Sequence, residues 1–328
     1  MEENKENKIY EILYPLDKTR ACEYNISKEG MIPLKKIKII ANPSSGREQA
    51  LHKINQLLAY MSRDPWDIQL LFTREKDDAS RFAMQEDQED VIVCIGGDGT
   101  LNEVANGIYH KERAVPLAIL PTGTVNDFGS FLNLPQDVGG FYQLLKRNQV
   151  EAVDLGLAND RVFVNVAAGG FLTEIAYTVS EDQKAKLGRM AYYLEGAKEL
   201  VGGIVRGDRT WELEVVNKQF HRTYQAQMFI IANSTSVGGF KNLAPTAEVQ
   251  DGLFDVLILE NLDLNEIVEI LTQFMTGRHI HHDRMTYLQT DEITLSCKQD
   301  IIVDLDGERY QPLPMTFKVI HKGLQVLV

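Results

Sequence analysis

Gly96-Gly97-Asp98-Gly99-Thr100 follows an apolar run, Val91 to Ile95, and carries the strongest chemical signal in the chain. Three glycines let a backbone turn sharply and let a bulky anion approach main-chain N–H groups. A helix expected from about Thr100 would aim its positive end at that anion. Asp98 stands in the same turn, and a carboxylate beside phosphates serves a metal ion or moves a proton. The residues therefore point to phosphate chemistry assisted by a cation. A featureless strand-to-helix turn would explain two glycines equally well, so other motifs must decide. The dinucleotide fingerprint needs glycine where Asn102 stands, and no G-x-x-x-x-G-K-[ST] occurs. Asp127-Phe128-Gly129 lacks the H-R-D and A-P-E companions it has in protein kinases.

Two further polar turns must be brought to the same place. Ile37 to Ala41 reads as a strand ending in Asn42-Pro43-Ser44-Ser45-Gly46, a turn with helix-start chemistry. Ala50, Leu51, Ile54, Leu57, Leu58 and Met61 then mark one face of a helix. Trp66, Ile68, Leu70 and Phe72 alternate in a second strand that ends at Thr73, and a helix over Ala79 to Met84 leads to the Val91 strand. After the helix from Thr100 comes the strand Pro116 to Leu120, and then the turn Pro121-Thr122-Gly123-Thr124-Val125-Asn126-Asp127-Phe128. Alternating strands and helices predict a doubly wound parallel sheet, with ligands beyond the carboxyl ends of its strands. All three polar turns fall at that edge.

Beyond about Val150 short strands dominate: Ala152–Leu157, Val162–Val166, Trp211–Val216, Gln225–Ala232, Leu253–Leu259, Ile301–Leu305 and Met315–Ile320. Asp160-Arg161 and Asn217-Lys218 read as tight hairpin connections. Helices are expected near Lys184 to Val201 and Leu264 to Phe274. The fold class expected is thus α/β followed by mostly β, a parallel-sheet domain over 36–149 and an antiparallel sandwich over 150–328. Residues 1–35 form an extension of unknown role with one apolar patch at Ile9 to Tyr14.

Composition limits the partners. The 328 residues carry a formal charge of −13, which argues against nucleic acid and against attraction of the whole molecule to an anionic membrane. Contact with a membrane must then be local, and Lys184, Lys186 and Arg189 beside Leu187, Met190, Tyr192 and Tyr193 are the best candidate; an ordinary helix with one charged face fits them equally well. Three scattered cysteines, Cys22, Cys94 and Cys297, suit free thiols in a reducing cytoplasm. The cluster Arg278-His279-Ile280-His281-His282-Asp283-Arg284 has metal-ligand residue types, but no partner cluster elsewhere, and reads better as a solvated basic loop.

Taken together, the N-P-x-S-G turn at Asn42, the G-G-D-G-T turn at Gly96 and the P-x-G-T-x-N-D-F turn at Pro121 resemble the soluble bacterial diacylglycerol kinase family, related to sphingosine and ceramide kinases. NAD kinases and phosphofructokinases share turns like the Gly96 turn, whereas the Pro121 turn separates the lipid kinases from them. The resemblance runs from about Lys36 to the C-terminus and includes Ala167 to Gly170 and Asp304-Leu305-Asp306-Gly307-Glu308. It implies ATP as co-substrate with Mg²⁺, and a lipid hydroxyl as acceptor.

Matched position by position, the resemblance implies a nucleotide lined by Asn42, Pro43, Ser44, Ser45, Gly46, Thr73, Gly97, Asp98, Gly99, Thr100, Leu101, Asn102, Glu103 and Thr124. Asp98 would act near the phosphates through Mg²⁺. Asp127 and Asp154 would share a carboxylate, water and metal network with Arg47, which stands where the family has lysine and keeps the charge but not the geometry. A structural Mg²⁺ would use Asp251 and the carbonyls of Leu253 and Glu248, although Gln250 replaces a frequent aspartate. Glu308 matches the proton acceptor; without the motif it would read as a hairpin-turn carboxylate.

The expected activity is transfer of the γ-phosphate of ATP to diacylglycerol. The alternatives are another lipid alcohol (a sphingoid base or phosphatidylglycerol), NAD, or a silent nucleotide- or lipid-binding regulator. The joint presence of Asp98, Asp127, Asp154 and Glu308 speaks against the last. The expected location is cytoplasmic and peripheral to the inner face of the membrane, with transient surface contact. A homodimer is compatible with the sequence, which does not specify assembly.

Overall fold

The computed structural model describes residues 35–46, 49–123, 126–170, 173, 210–238, 240–260, 262, 264–274 and 276–328. The expected extension at 1–35 (apart from its last residue), Arg47, Thr124 and the helix expected near Lys184 to Val201 lie outside the described residues.

The first part of the chain builds a parallel sheet from β1 (Lys35–Ala41), β2 (Trp66–Phe72), β3 (Val91–Gly96) and β4 (Leu117–Pro121). Their order is β2-β1-β3-β4, all parallel. The connections from β1 and from β3 therefore depart in opposite directions, and the crevice at a doubly wound sheet's switch point opens beyond the ends of those two strands. β3 is apolar along its whole length and fully buried, as a strand covered on both faces must be.

Helices α1 (Gln49–Met61), α2 (Asp78–Met84), α3 (Asp98–Tyr109), α4 (Asp127–Phe131) and α5 (Val138–Arg147) cover the sheet. α1 buries Ala50, Ile54, Leu57 and Met61 and packs with α5. α2 meets α3 so closely that a Cβ on Gly107 would lie 2.3 Å from the carbonyl oxygen of Ser80. α3 begins at Asp98 rather than near Thr100, because Gly97 takes the extended N-cap conformation (φ −93°, ψ −171°). The carboxylate of Asp98 thus stands in the first turn, where the helix N-terminus favours negative charge.

The second part is antiparallel. β5 (Val150–Ala158) and β6 (Arg161–Phe163) form a hairpin turning at Asn159-Asp160, with Asn159 at φ +54°. β7 (Val166–Gly170), β8 (Trp211–Val216), β9 (His221–Ala232), β10 (Phe254–Glu260), β11 (Met285–Thr290), β12 (Glu292–Ser296), β13 (Ile302–Leu305) and β14 (Glu308–Pro312) follow. β10 and the second half of β9 are buried on both faces. Phe229, Ile231, Val256 and Ile258 join one core with Phe163 and Phe317, while Met228, Ile230, Leu257 and Leu259 join another beneath α6 (Leu264–Phe274).

β15 (Met315–Leu327) outruns the expected strand by seven residues and ties the two parts together. Its first half pairs with β12 and with Leu155 to Ala158; after a bulge, Leu324 to Leu327 pair with Val150 to Val153, and Val326 lies parallel to Leu117 of β4. The last strand of the chain therefore completes the edge of the parallel sheet. Among the described residues all fifteen strands belong to one hydrogen-bonded network.

Candidate active site

The three polar turns interlock beyond the carboxyl ends of β1, β3 and β4. Asn42 donates its main-chain N–H to Ile95 O (2.9 Å) and its side-chain amide to Thr100 Oγ1 (3.2 Å), joining the first turn to the second. Thr122 donates its N–H to Gly96 O (2.9 Å) and its hydroxyl to Ser45 Oγ (2.9 Å), joining the third turn to both. Close packing explains the glycines. A Cβ on Gly123 would lie 2.7 Å from the Cα of Gly97, and one on Gly46 (φ +68°) would lie 2.1 Å from Thr122 O. Ser44 N–H donates to Asn42 Oδ1 (3.0 Å), the local turn that the sequence Asn-Pro-Ser encodes.

Three carboxylates gather at the start of α3. Asp98 is partly buried; loss of hydration, then the negative charges of Asp127 and Asp306, push its carboxyl up to about 7, against the opposing pull of the Asn126 and Asp127 N–H groups. Asp127 is buried in the first turn of α4 and accepts the hydroxyl of Ser236 (2.9 Å). Carboxylate oxygens such as those of Asp98 and Asp127 are of the kind Mg²⁺ accepts, and a dication there would relieve the mutual repulsion that helps raise Asp98. Among the described residues no three side chains are arranged to cage a metal.

Asp306, to which the motif match assigns no role beside its neighbour Glu308, is the anchor of the β13–β14 hairpin. Its Oδ1 accepts the N–H groups of Asn165 (2.9 Å) and Val166 (2.8 Å), and its Oδ2 accepts Val164 N–H (2.7 Å) and the Asn102 amide (2.8 Å). It sits at φ +52°, a conformation that Asp tolerates better than most residues. Asp304 fastens the same hairpin by accepting Gly307 N–H (2.7 Å). Glu308 opens β14 immediately beyond and is exposed. A Cβ on Gly99 would lie 3.7 Å from its Oε1, and Lys76 Nζ lies 3.0 Å from its Oε2. The hairpin thus presents a carboxylate to the Gly99 turn.

Replacing Asp306 with alanine leaves three main-chain N–H groups and the Asn102 amide without their acceptor. The expected cost is about 2–4 kcal/mol of stability, read by denaturant unfolding, with hydrogen exchange accelerated at Val164 to Val166 first. Unchanged protection there would show that the hairpin is held by other contacts.

The remaining candidates divide. Leu101 lies in the core; Asn102 is buried, with its amide shared between Val162 O and Asp306; Glu103 accepts Ala79 N–H (3.1 Å) at the start of α2. Leu101 and Asn102 are thus buried, and Glu103 is engaged with the start of α2. Thr73, the residue after β2, donates its main-chain N–H to Ala41 O (2.9 Å). Asp154, fully buried, accepts Gly252 N–H (2.7 Å) and Lys322 N–H (2.6 Å), and His321 Nδ1 lies 2.9 Å from it. Its carboxylate thus belongs with the 251–253 turn, where Asp251 accepts Leu253 N–H (2.8 Å) and Gln250 reaches Glu151 (3.1 Å). Partial burial, then Asp255, Asp154 and Glu248, raise the Asp251 carboxyl. With Asp154 so occupied, a cation at this turn would be left with Asp251 and carbonyls such as those of Leu253 and Glu248. In the histidine-rich segment, His279 is fully buried, bonded to Leu243 O (2.8 Å) and stacked edge-on against Phe274.

Two family models match the chain: the diacylglycerol kinase catalytic domain over residues 36–158, and the YegS C-terminal NAD kinase beta sandwich-like domain over residues 166–328. A diacylglycerol kinase of Staphylococcus haemolyticus is 34% identical over 292 residues, covering 88% of this chain and 87% of that protein. One from Staphylococcus carnosus is 33% identical over 297 residues, covering 89% and 94%. A solved diacylglycerol kinase structure from Bacillus anthracis superposes with a TM-score of 0.74 at 23% identity, covering 89% of this chain and 96% of that one, which speaks for the fold. Fold, turns and matches together define a lipid kinase, an enzyme of lipid metabolism. The chain belongs to the diacylglycerol kinase family. Among the described residues no helix is long and apolar enough to cross a membrane.

Proposed function

We propose that the protein transfers the γ-phosphate of ATP, with Mg²⁺, to the hydroxyl of diacylglycerol, giving phosphatidic acid and ADP. The observation that carries this reading is the position of Glu308. It faces the Gly99 turn from a hairpin of the antiparallel part, while the phosphate-binding turns belong to the parallel part. Phosphoryl transfer to an alcohol requires positioned phosphates, neutralised charge and a place for the hydroxyl proton. The interlocked turns offer main-chain N–H groups and the N-terminus of α3 to the phosphates. Asp98 and Asp127 would hold the Mg²⁺, which neutralises charge on the transferring group. As the alcohol oxygen bonds to phosphorus and the bond to ADP breaks, Glu308 takes the hydroxyl proton. The family relatives named diacylglycerol kinase support the acceptor.

A membrane-resident substrate puts the reaction at a bilayer surface, so the protein works peripherally at the cytoplasmic face, through a local basic patch that its net charge of −13 makes necessary. The test is a panel of acceptors in mixed micelles with labelled ATP and Mg²⁺. Diacylglycerol should be labelled fastest; preferential labelling of a sphingoid base, phosphatidylglycerol or NAD would replace it as the substrate.

A further inference from the structure

We propose that Lys76 is a positioning residue for Glu308: it holds one carboxylate oxygen so that the other faces the phosphate turn. This rests on the reading of Glu308 as proton acceptor. Both ends of the 3.0 Å ion pair are built on fixed supports. Lys76 belongs to the turn that follows β2. There the buried carboxylate of Asp78 accepts the N–H groups of Arg74 (2.8 Å) and Glu75 (3.2 Å), and Thr73 is bonded to Ala41 (2.9 Å). Asp77, at φ +66°, lies 3.7 Å from Arg161 of the β5–β6 hairpin, a second ion pair across the same gap. Glu308 in turn stands on the hairpin that Asp304 and Asp306 fasten.

The two oxygens of Glu308 have different surroundings. Oε2 meets the Lys76 ammonium, and Oε1 is the atom nearest to a Cβ built on Gly99. An exposed glutamate on a flexible stem samples several rotamers, so an ion pair that selects the one aimed at Gly99 raises the fraction of molecules ready to accept a proton. Both side chains are more than half exposed. An exposed pair biases a population only a few-fold, and salt screens it. Lys76 therefore tunes turnover and does not create it.

The experiment is a double-mutant cycle on the full-length protein, with ATP, Mg²⁺ and diacylglycerol micelles at low and high salt. Lys76→Met should lower kcat about two- to fivefold at low salt and leave the KM for ATP unchanged. Lys76→Arg should restore most of the loss, and the gap between wild type and Lys76→Met should close as salt rises. In a Glu308→Gln background the Lys76→Met change should have no further effect, since a positioning residue has nothing left to position. Wild-type turnover in Lys76→Met, or an equal loss with and without Glu308, would overturn the proposal. A raised KM for ATP that persists in the Glu308→Gln background would make Lys76 a phosphate ligand instead. If the unmodified protein transferred no phosphate to any lipid, the functional reading would fail and the positioning role with it; wild-type rates in Lys76→Met would remove the positioning role alone.

Discussion

Glu308→Gln is expected to slow phosphoryl transfer by roughly 10²- to 10⁴-fold, the range for loss of a general base, with little change in ATP affinity. Glutamine is nearly isosteric and still accepts a hydrogen bond, so the hydroxyl can dock, but its proton has nowhere to go. The separation of effects follows from where the residue stands. Glu308 opens β14, on a hairpin fastened to residues 164–166, whereas the turns that would bind phosphate end β1, β3 and β4. ATP should therefore bind normally, as measured by fluorescence of a nucleotide analogue, while labelled lipid accumulates slowly. Loss of nucleotide binding in step with activity would show that Glu308 supports the phosphate turn. Survival of activity would pass the base role to another carboxylate, with Asp98 the next to test.

Asp98→Asn should remove activity and stabilise the ligand-free fold at once. Loss of a carboxylate that would hold a divalent cation beside phosphates costs on the order of 10²-fold or more in turnover. The stability change comes from the carboxyl being pushed up from 3.8 to about 7 by burial and by Asp127 and Asp306. A raised value means that the folded state binds this proton more tightly than the unfolded chain does. The group's contribution to stability is thus fully present below its ordinary range and is lost as pH rises through about 7. Above pH 7 the ionised Asp98 is a liability that asparagine does not carry. The variant should be more stable than the wild type at about pH 8 by about 1–2 kcal/mol, after allowing for solvent screening of a partly exposed group. The difference should shrink toward about pH 5. Thermal unfolding across that range in the absence of nucleotide and metal reads it; a gap that widened on acidification would contradict the sign.

These two residues were legible in the sequence for different reasons. Asp98 lies in a local motif, where a strand, three glycines and a helix start within ten residues name their own chemistry. Glu308 became visible only through the string Asp304 to Glu308 and its likeness to a family. Trp211–Val216 and Leu264–Phe274 were readable to the residue, because alternation and helical spacing are local signals.

Asp306 was hidden because its meaning is its partners. Asn102 and Val164 to Val166 lie far away in sequence, and no spacing rule connects them to a turn aspartate. The same holds for the far end of β15, whose partners are Leu117 and Val150 to Val153. Lys38 shows the converse: it interrupts an apolar strand yet is 1% exposed, its ammonium shared by Asp87 (2.8 Å), Glu89 (3.5 Å) and the carbonyls of Phe82 and Gln85. A lysine between isoleucines signals a solvent face unless the acceptors that bury it are known.

Joint action of the carboxylates at the start of α3 and of Glu308 across from them would move phosphate from ATP to a lipid hydroxyl. It is tested most directly by following ADP and labelled lipid in the same reaction, with purified full-length protein, γ-labelled ATP, Mg²⁺ and diacylglycerol micelles. Phosphatidic acid and ADP should appear at equal rates, with both rates falling together in Glu308→Gln and in Asp98→Asn. ADP formed without labelled lipid, or label moved to diacylglycerol at an undiminished rate by both variants, would contradict it.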